Sequence, residues 1–285
     1  MEIDNSTDVG RRMQIAQAQT KAATQKVEET APKAKATGHS GESTFKASDD
    51  YAKWEKFAKA HNVPVEHGKV TVIGLRNDST ADKKSGSTYE DQMVVLKKDG
   101  TTATFTANTK PAQQPGTPGS APDVNGDHQP DLGMARPGNY KAYGNRSFAG
   151  RPAYQVSSTP GKDEVPAWRD TDHDGKFSPE EKQASETRGD KLSAVRIHVG
   201  FDEGGSQVQG KDGKPISGSG PWSIGCQNVP SSKIDEFVDA VGGQKANFNY
   251  SVVETPVERA DRPQNDAGQD KQPASSGNFL ENLFK

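Results

Sequence analysis

Between residues 68 and 255 the chain is a series of short β-type runs that are separated by turn residues. Each run is five to eight residues long and is rich in β-branched and aromatic residues, as is typical of strands. The runs cover residues 70–76, 92–97, 102–107, 139–143, 152–156, 192–199 and 248–253. Because many short strands with few helices must bury their apolar faces against one another, we predict a mostly β fold of the β-sandwich or barrel-like type.

Two segments have helical spacing instead. In residues 51–60 aromatic side chains recur on one face behind an acidic helix start, which predicts a short helix that docks on the β domain. Residues 234–241 follow two serines and precede two glycines, so we predict a helix with a hydroxyl N-cap and a glycine C-cap. Residues 109–122 and 201–221 are rich in glycine, proline and polar residues, and we predict loops there.

The ends of the chain differ in composition from the middle. With 30% hydrophobic residues, 29 glycines, 18 prolines and a mean hydropathy of −0.92, the chain is too polar to be one compact globule from end to end. We predict a flexible N-terminal arm at 1–46, a docking helix and linker at 47–67, the main domain at 68–255 and a flexible tail at 256–285.

Charge and hydropathy exclude two classes of partner. The net charge is −3 with both signs interspersed, so there is no basic field that would attract nucleic acid. No window of about 18 apolar residues exists, so we expect no membrane span. The first residues lack a basic start and an apolar core, so we predict no ordinary secretory signal.

The segment 170–181 matches the pattern D-x-[DN]-x-[DN]-G-x5-E at every defined position. Calcium takes six to eight oxygen ligands, and alternating acids around a glycine turn wrap carboxylates about such a cation. The predicted ligands are Asp170, Asp172, Asp174, Lys176, Ser178 and Glu181. The alternative is a solvated acidic turn. Because residues 164–168 read as extended, we predict a structural calcium loop on a β scaffold and no paired sensor hand.

A second acidic loop, at residues 123–131, resembles the calcium loops of FG-GAP-type repeats in the order of its acids. His128 occupies the place where such loops usually carry glycine. The candidate ligands are Asp123, Asn125, Asp127, Gln129 and Asp131. A turn rich in Asp and Asn, without a metal, is the alternative here.

Cys226 is the only cysteine, so it cannot form a disulfide within the chain. It is therefore inert packing, an intermolecular link or a reactive thiol. His198 ends an apolar run upstream, where a base could be both fixed and reachable, and Gly225 permits a tight turn whose amides could receive an oxyanion. These residues favour a nucleophile and its general base.

The segments Ile197-His198-Val199-Gly200 and Ser223-Ile224-Gly225-Cys226-Gln227 together resemble the L,D-transpeptidase (YkuD-like) family, in a divergent S-x-G-C-Q subgroup that acts on peptidoglycan. The resemblance extends loosely from about residue 70 to 253. It implies that Cys226 is the nucleophile, His198 the general base, and that Ser223 and Gly225 shape the pocket and oxyanion hole. Gln227-Asn228 replaces the usual aliphatic residue and arginine.

The same resemblance implies that peptidoglycan stem peptides are the substrate and that a thioester forms on Cys226. An amine acceptor then gives cross-linking or exchange, whereas water gives carboxypeptidase or endopeptidase cleavage. Calcium loops without a visible signal suggest a specialised export route to the periplasm or the outside, as for an antibacterial effector with secretion machinery or an immunity protein as partner. The alternative is a non-catalytic, calcium-stabilised wall-binding or adhesion module in which Cys226 is merely packed.

Overall fold

A computed structural model describes residues 45–77, 88–112, 121–209 and 213–255. The predicted tail and nearly all of the predicted N-terminal arm lie outside these residues. The helices of the described residues are α1 (Asp49–Ala60), α2 (Pro179–Arg188) and α3 (Ile234–Val241). None of these three helices has the length and apolar character needed to cross a membrane.

The described residues also form thirteen strands. They are β1 (Thr71–Asn77), β2 (Asp91–Leu96), β3 (Thr102–Ala107), β4 (Leu132–Ala135), β5 (Gly138–Phe148), β6 (Arg151–Ser157), β7 (Glu164–Asp170), β8 (Lys191–Ser193), β9 (Arg196–Gly200), β10 (Ser206–Gln209), β11 (Pro215–Gly218), β12 (Gln227–Pro230) and β13 (Asn247–Thr255). The predicted strands at 102–107, 152–156 and 248–253 are confirmed within two residues at each end.

Eight strands form one barrel-like sheet in the order β12-β9-β6-β5-β13-β1-β2-β3. The chain just beyond β3 returns to β12, where Asn108 and Asn228 exchange two backbone hydrogen bonds of 2.9 and 2.8 Å. A second such pair joins Ala112 and Ser223 at 2.7 and 2.9 Å. These bonds bring the two ends of the sheet together, and the predicted mostly β, barrel-like fold is confirmed.

Helix α3 buries its apolar face in the main core. The ring of Phe237 packs edge-on against Phe105 and Tyr154, with centroids 5.5 and 6.0 Å apart. Burying an aromatic ring of this kind contributes about 1.5–3 kcal/mol. The predicted glycine C-cap is confirmed, because Gly242 has the left-handed conformation at φ +99°.

The predicted hydroxyl N-cap of α3 is wrong. The N-cap is Lys233, which makes no side-chain cap hydrogen bond. The hydroxyls of Ser231 and Ser232 instead donate to the carboxylate of Asp202, at 2.8 and 2.9 Å. Both serines precede the first turn of α3, and their hydroxyls bond to the Asp202 carboxylate in place of the helix amides.

Helix α1 covers the other face of the sheet. Its aromatic residues Tyr51, Trp54 and Phe57 form a separate buried cluster with Ile73 and Leu75 of β1. Successive side chains of a strand point to opposite faces, so β1 is buried on both sides, by the main core and by α1. The predicted docking helix is confirmed.

Two sequence predictions about the middle of the chain are wrong. The run at 192–199 is not one strand, because a turn with Ala194 at φ +57° separates β8 from β9. The two pieces belong to different sheets, and β8 joins β4 and β7 in a three-stranded sheet. The predicted loop at 201–221 contains the hairpin of β10 and β11, in which four residue pairs are in register.

Candidate functional site

The Ser223-Ile224-Gly225-Cys226 segment is a tight turn that leads into β12. The hydroxyl of Ser223 donates to the carbonyl of Cys226 at 2.6 Å and accepts from the amide of Gly225 at 3.3 Å. Gly225 has φ +145°, and a Cβ there would lie 3.0 Å from the carbonyl oxygen of Gly133 and from a methyl of Leu192. The conformation and the crowding both require glycine. The turn therefore holds the thiol in a fixed place.

Cys226 is half-buried in the wall of a cavity of about 340 Å³. Its thiol donates to the carbonyl of Ala194, 3.9 Å away, and its sulfur accepts from the backbone N–H of Arg196. Burial raises the pKa of the Cys226 thiol, whereas the Arg196 amide and charge act in the opposite direction. The resting group is therefore the neutral thiol at neutral pH. The cavity is lined by Ala121, Pro122, Arg169, Lys191, Leu192, Ser193, Val195, Ile224, Gly225 and Cys226.

His198 is only 1% exposed and is held on three sides. Its Nδ1 lies 2.6 Å from the carbonyl of Val199, and the amide nitrogen of Asn228 lies 3.3 Å from each ring nitrogen. The Phe148 ring packs on the imidazole with centroids 3.9 Å apart. Burial, opposed by the hydrogen bond to the Val199 carbonyl and aided by the charge of Arg196, lowers the pKa of His198 to about 4. The imidazole is neutral in this state.

His198 lies in β9 and Cys226 lies immediately before the neighbouring parallel strand β12, two positions away in register. His198 pairs with Asn228, and Ile197 pairs with Gln227, so Cys226 lies beside Arg196. Residues two apart on a strand share a face, so the side chains of Arg196 and His198 lie on the same side of β9. Among the described residues no hydrogen bond joins the Cys226 sulfur to His198. The nucleophile–base contact stays a prediction.

Two cations in the cavity wall were not identified from the sequence. Arg169 is buried, donates to the carbonyls of Asp131 (3.2 Å) and Lys191, and leaves its Nε without a hydrogen-bond partner. Lys191 is more exposed and pairs with Glu164 at 3.0 Å. The one available signal was the position of Arg169 immediately before the acidic motif. Two basic residues are therefore among those that line the thiol cavity.

The acidic loop at 170–181 brings three predicted ligands together. Side-chain oxygens of Asp170, Asp172 and Asp174 all lie within 4.8 Å of one another. Asp170 is 1% exposed, and its Oδ1 has no hydrogen-bond partner. Burial raises the pKa of Asp170 to about 6, and the charge of Glu181 adds to this effect. An orphaned buried oxygen within an all-oxygen set fits calcium.

The other predicted ligands of this loop make protein contacts. Glu181 accepts from the amides of Thr171 (2.6 Å) and Asp172 (3.2 Å) through Oε1, and from the amide of Ser178 (2.9 Å) through Oε2. Ser178 is the N-cap of α2 and forms a capping box with Glu181. The amide of Lys176 bonds to the third aspartate of the loop. Calcium ligation by Lys176, Ser178 and Glu181 stays a prediction.

The loop at 123–131 is organised by its own side chains. Asp123 accepts from the amides of Gly126 (2.6 Å) and His128 (2.9 Å), and His128 has the glycine-like φ of +68°. Asp131 is fully buried, with Oδ2 bonded to the amide of Val124 and Oδ1 without a hydrogen-bond partner. The remaining predicted ligands, Asn125, Asp127 and Gln129, are exposed on the same loop.

Comparisons of this chain with protein-family models, with curated proteins and with solved structures found no match in any of the three. The functional interpretation is therefore built on the described residues: the turn that carries Cys226, the cavity beside it and the two acidic loops. The family resemblance at the Ser223–Cys226 and Ile197–Gly200 segments remains a resemblance.

Proposed function

We propose that this chain is a cysteine-dependent enzyme of the L,D-transpeptidase type that acts on peptidoglycan stem peptides. The observation that carries the proposal is the placement of its single thiol. Cys226 lies on a turn fixed by Ser223 and Gly225 and faces a cavity of about 340 Å³. A cysteine that served only as packing would be enclosed by apolar side chains, whereas the residues that line this cavity include Arg169 and Lys191.

The proposed reaction has two steps. The thiolate of Cys226 attacks an amide carbonyl, the C–S bond forms, and the C–N bond breaks as the amine leaves with a proton. An amine or a water molecule then attacks the thioester, and the C–S bond breaks to restore the thiol. His198 is the proposed carrier of the proton between sulfur and amine, and the amides of the Gly225-Cys226 turn are the proposed donors to the oxyanion.

The charges near Cys226 support a substrate that bears a carboxylate. Arg169 and Lys191 line the cavity, and Arg196 lies beside the sulfur with its Nε lacking a hydrogen-bond partner. Stem peptides carry carboxylates at their D-configured centres, and arginine is suited to binding them in a bidentate manner. We propose that these cations do what the arginine after the cysteine does in the related family, since Asn228 stands in its place.

We also propose calcium as a structural ion in the two acidic loops. Loops of this kind with affinities in the weaker, extracellular range fill only where calcium is abundant, which favours action in the periplasm or outside the cell. Secretion machinery and an immunity protein are the corresponding proposed partners.

One observation favours the second candidate, a non-catalytic wall-binding module. The imidazole of His198 is enclosed by Val199, Asn228 and Phe148, and burial lowers its pKa to about 4. A base with that pKa takes up a proton poorly at neutral pH. For such a module Cys226 would be dispensable for attachment to peptidoglycan.

The deciding experiment incubates purified muropeptides with the parent, Cys226→Ala and His198→Gln, and identifies products by mass spectrometry. We expect both variants to retain the far-ultraviolet circular dichroism of the parent and to lose product formation by about 10³-fold or more. His61→Gln, at an exposed histidine after α1, is the matched control and keeps the parent rate.

Processing of tetrapeptide stems by Cys226→Ala at the parent rate would exclude the enzyme. Co-sedimentation of that variant with intact peptidoglycan at the parent affinity, together with no turnover by either protein, would instead support the wall-binding module.

A further inference from the structure

The two acidic loops have the same backbone conformation. Counting from Asp123 in one loop and Asp170 in the other, the fourth and sixth residues of both have positive φ. The four residues are Gly126 (+84°), His128 (+68°), His173 (+61°) and Gly175 (+83°). Histidine and glycine exchange places between the loops, so the sequence does not make this equivalence evident.

The hydrogen bonds inside the loops repeat as well. In each loop the first acid accepts from the amide of the sixth residue, at 2.9 and 3.0 Å. The third residue accepts from the fifth, at 3.0 and 3.1 Å, and the fifth accepts from the seventh, at 2.8 Å in both loops. The loops share these three hydrogen bonds and differ at the first acid, where Oδ1 of Asp123 accepts from the amide of Gly126 and Oδ1 of Asp170 has no hydrogen-bond partner.

The loops also contact each other. The side-chain amide of Asn125 donates to the carbonyl of Thr171 at 2.8 Å, and the Nε2 of His173 lies 2.9 Å from a carboxylate oxygen of Asp127. The same nitrogen is 3.7 Å from Oδ1 of Asp131. The loops therefore form one unit, joined by contacts in both directions.

The loop at 123–131 ends, and the loop at 170–181 begins, at the same end of the β4–β7 ladder in the small three-stranded sheet. Leu132 of β4 pairs with Asp170 of β7, so Asp131 and Asp170 are neighbours at one end of the β4–β7 ladder. Each has a buried carboxylate oxygen with no hydrogen-bond partner. A buried carboxylate oxygen without a hydrogen bond is expensive, and for Asp131 the Nε2 of His173, at 3.7 Å, is too distant to supply one. A cation is the partner that satisfies both oxygens at once.

The same small sheet forms the wall of the thiol cavity. Arg169, the residue before Asp170, lines that cavity, as do Ala121 and Pro122 just before the first loop. The amide of Asp131 donates to the carbonyl of Pro122 at 3.0 Å. On the neighbouring strand, the carbonyl oxygen of Gly133 lies against Gly225, where a Cβ would be 3.0 Å from it. The first loop and the residue before Cys226 are therefore both in contact with the same small sheet.

We propose that the two loops form one paired site for divalent cations, selective for calcium, and that filling this site fixes the cavity wall and so controls the reactivity of Cys226. The pairing of the loops goes beyond the proposed function. The control of Cys226 rests on the proposed function, because it takes the Cys226 thiol as the reacting group. Without a cation, the six aspartates of the two loops repel one another, and the end of the β4–β7 ladder loosens. The six are Asp123, Asp127, Asp131, Asp170, Asp172 and Asp174.

The test uses the full chain stripped with EGTA and measures calcium binding by calorimetry and Cys226 alkylation by the neutral reagent iodoacetamide. We expect two calcium ions to bind, and alkylation to slow by about fivefold or more when they do, because the fixed wall limits access to the sulfur. Asp131→Asn and Asp170→Asn are each expected to lose both ions at a calcium concentration that saturates the parent. Glu236→Gln, at an exposed acid of α3, is the control and keeps both.

Each possible result decides the proposal. Equal alkylation rates with and without bound calcium would overturn the control of Cys226, and loss of a single ion in each variant would overturn the pairing. Absence of calcium binding to the parent would overturn the site itself. Because alkylation needs no substrate, calcium-dependent labelling without muropeptide turnover would leave this inference standing and exclude the enzyme.

Discussion

Replacement of Gly225 by alanine tests whether the thiol turn is held as the structure shows. Gly225 has φ +145°, a region that residues with a Cβ rarely adopt. The new methyl would lie 3.0 Å from the carbonyl oxygen of Gly133 and 3.0 Å from a methyl of Leu192. Ordinary contacts between carbon atoms are about 3.5–4.0 Å, so both neighbours must move.

The magnitude follows from these two effects. A residue forced into a sparsely populated backbone region costs about 1–3 kcal/mol, and an extra methyl in a packed site costs about 1–3 kcal/mol. Gly225→Ala is therefore expected to lower the free energy of unfolding by at least about 2 kcal/mol. Since 1 kcal/mol changes Tm by about 2–4 °C in a domain of this size, Tm should fall by about 4–8 °C or more.

The matched control is Gly161→Ala. Gly161 also has a positive φ, +79°, but no heavy atom lies within 4 Å of an added Cβ. This variant carries only the backbone penalty of about 1–2 kcal/mol. Scanning calorimetry of both variants in the same calcium buffer separates the steric effect from the backbone effect. A Gly225→Ala protein that loses no more stability than Gly161→Ala would refute the packing of the turn against Gly133.

Three further predictions concern the core, the histidine and the metal. Tyr250→Phe removes the hydroxyl that donates to the buried side chain of Gln227, so the free energy of unfolding from denaturant curves should fall by about 1–3 kcal/mol. An unchanged denaturation midpoint would contradict a stabilising role for that hydrogen bond. Burial holds the pKa of His198 near 4, below its unfolded value of about 6.5, so the unfolded chain binds the extra proton between these values. The free energy of unfolding should therefore fall by up to about 3 kcal/mol as the pH drops from about 6.5 to 4, and His198→Gln should lose this dependence. If the free energy of unfolding falls equally steeply with pH in both proteins, His198 is not the titrating group. Excess EGTA should lower Tm, and the free energy of unfolding should fall by about 2.7 kcal/mol for each ion lost, relative to calcium at 100 times its Kd. Asp170→Asn should abolish the shift, and an unmoved parent transition would rule out calcium.

The local features of the fold could be predicted from the sequence. Strands β3, β6 and β13 were recognisable because β-branched and aromatic runs between turn residues favour extended backbone whatever they pair with. Helix α1 was recognisable because its aromatic side chains recur on one face, and the end of α3 because Gly242 adopts the left-handed conformation cheaply. The spacing of acids also indicated both loops.

The arrangement of those pieces was decided only by the tertiary structure. Ala194 turns an apparently continuous run into strands of two different sheets, and the strand register sets Cys226 beside Arg196 and His198 beside Asn228. Pairing between distant segments depends on which faces find a complementary surface, and period-two patterns are too similar among strands to specify it. The position of the thiol in the wall of a cavity that Arg169 and Lys191 also line is a consequence of that long-range packing.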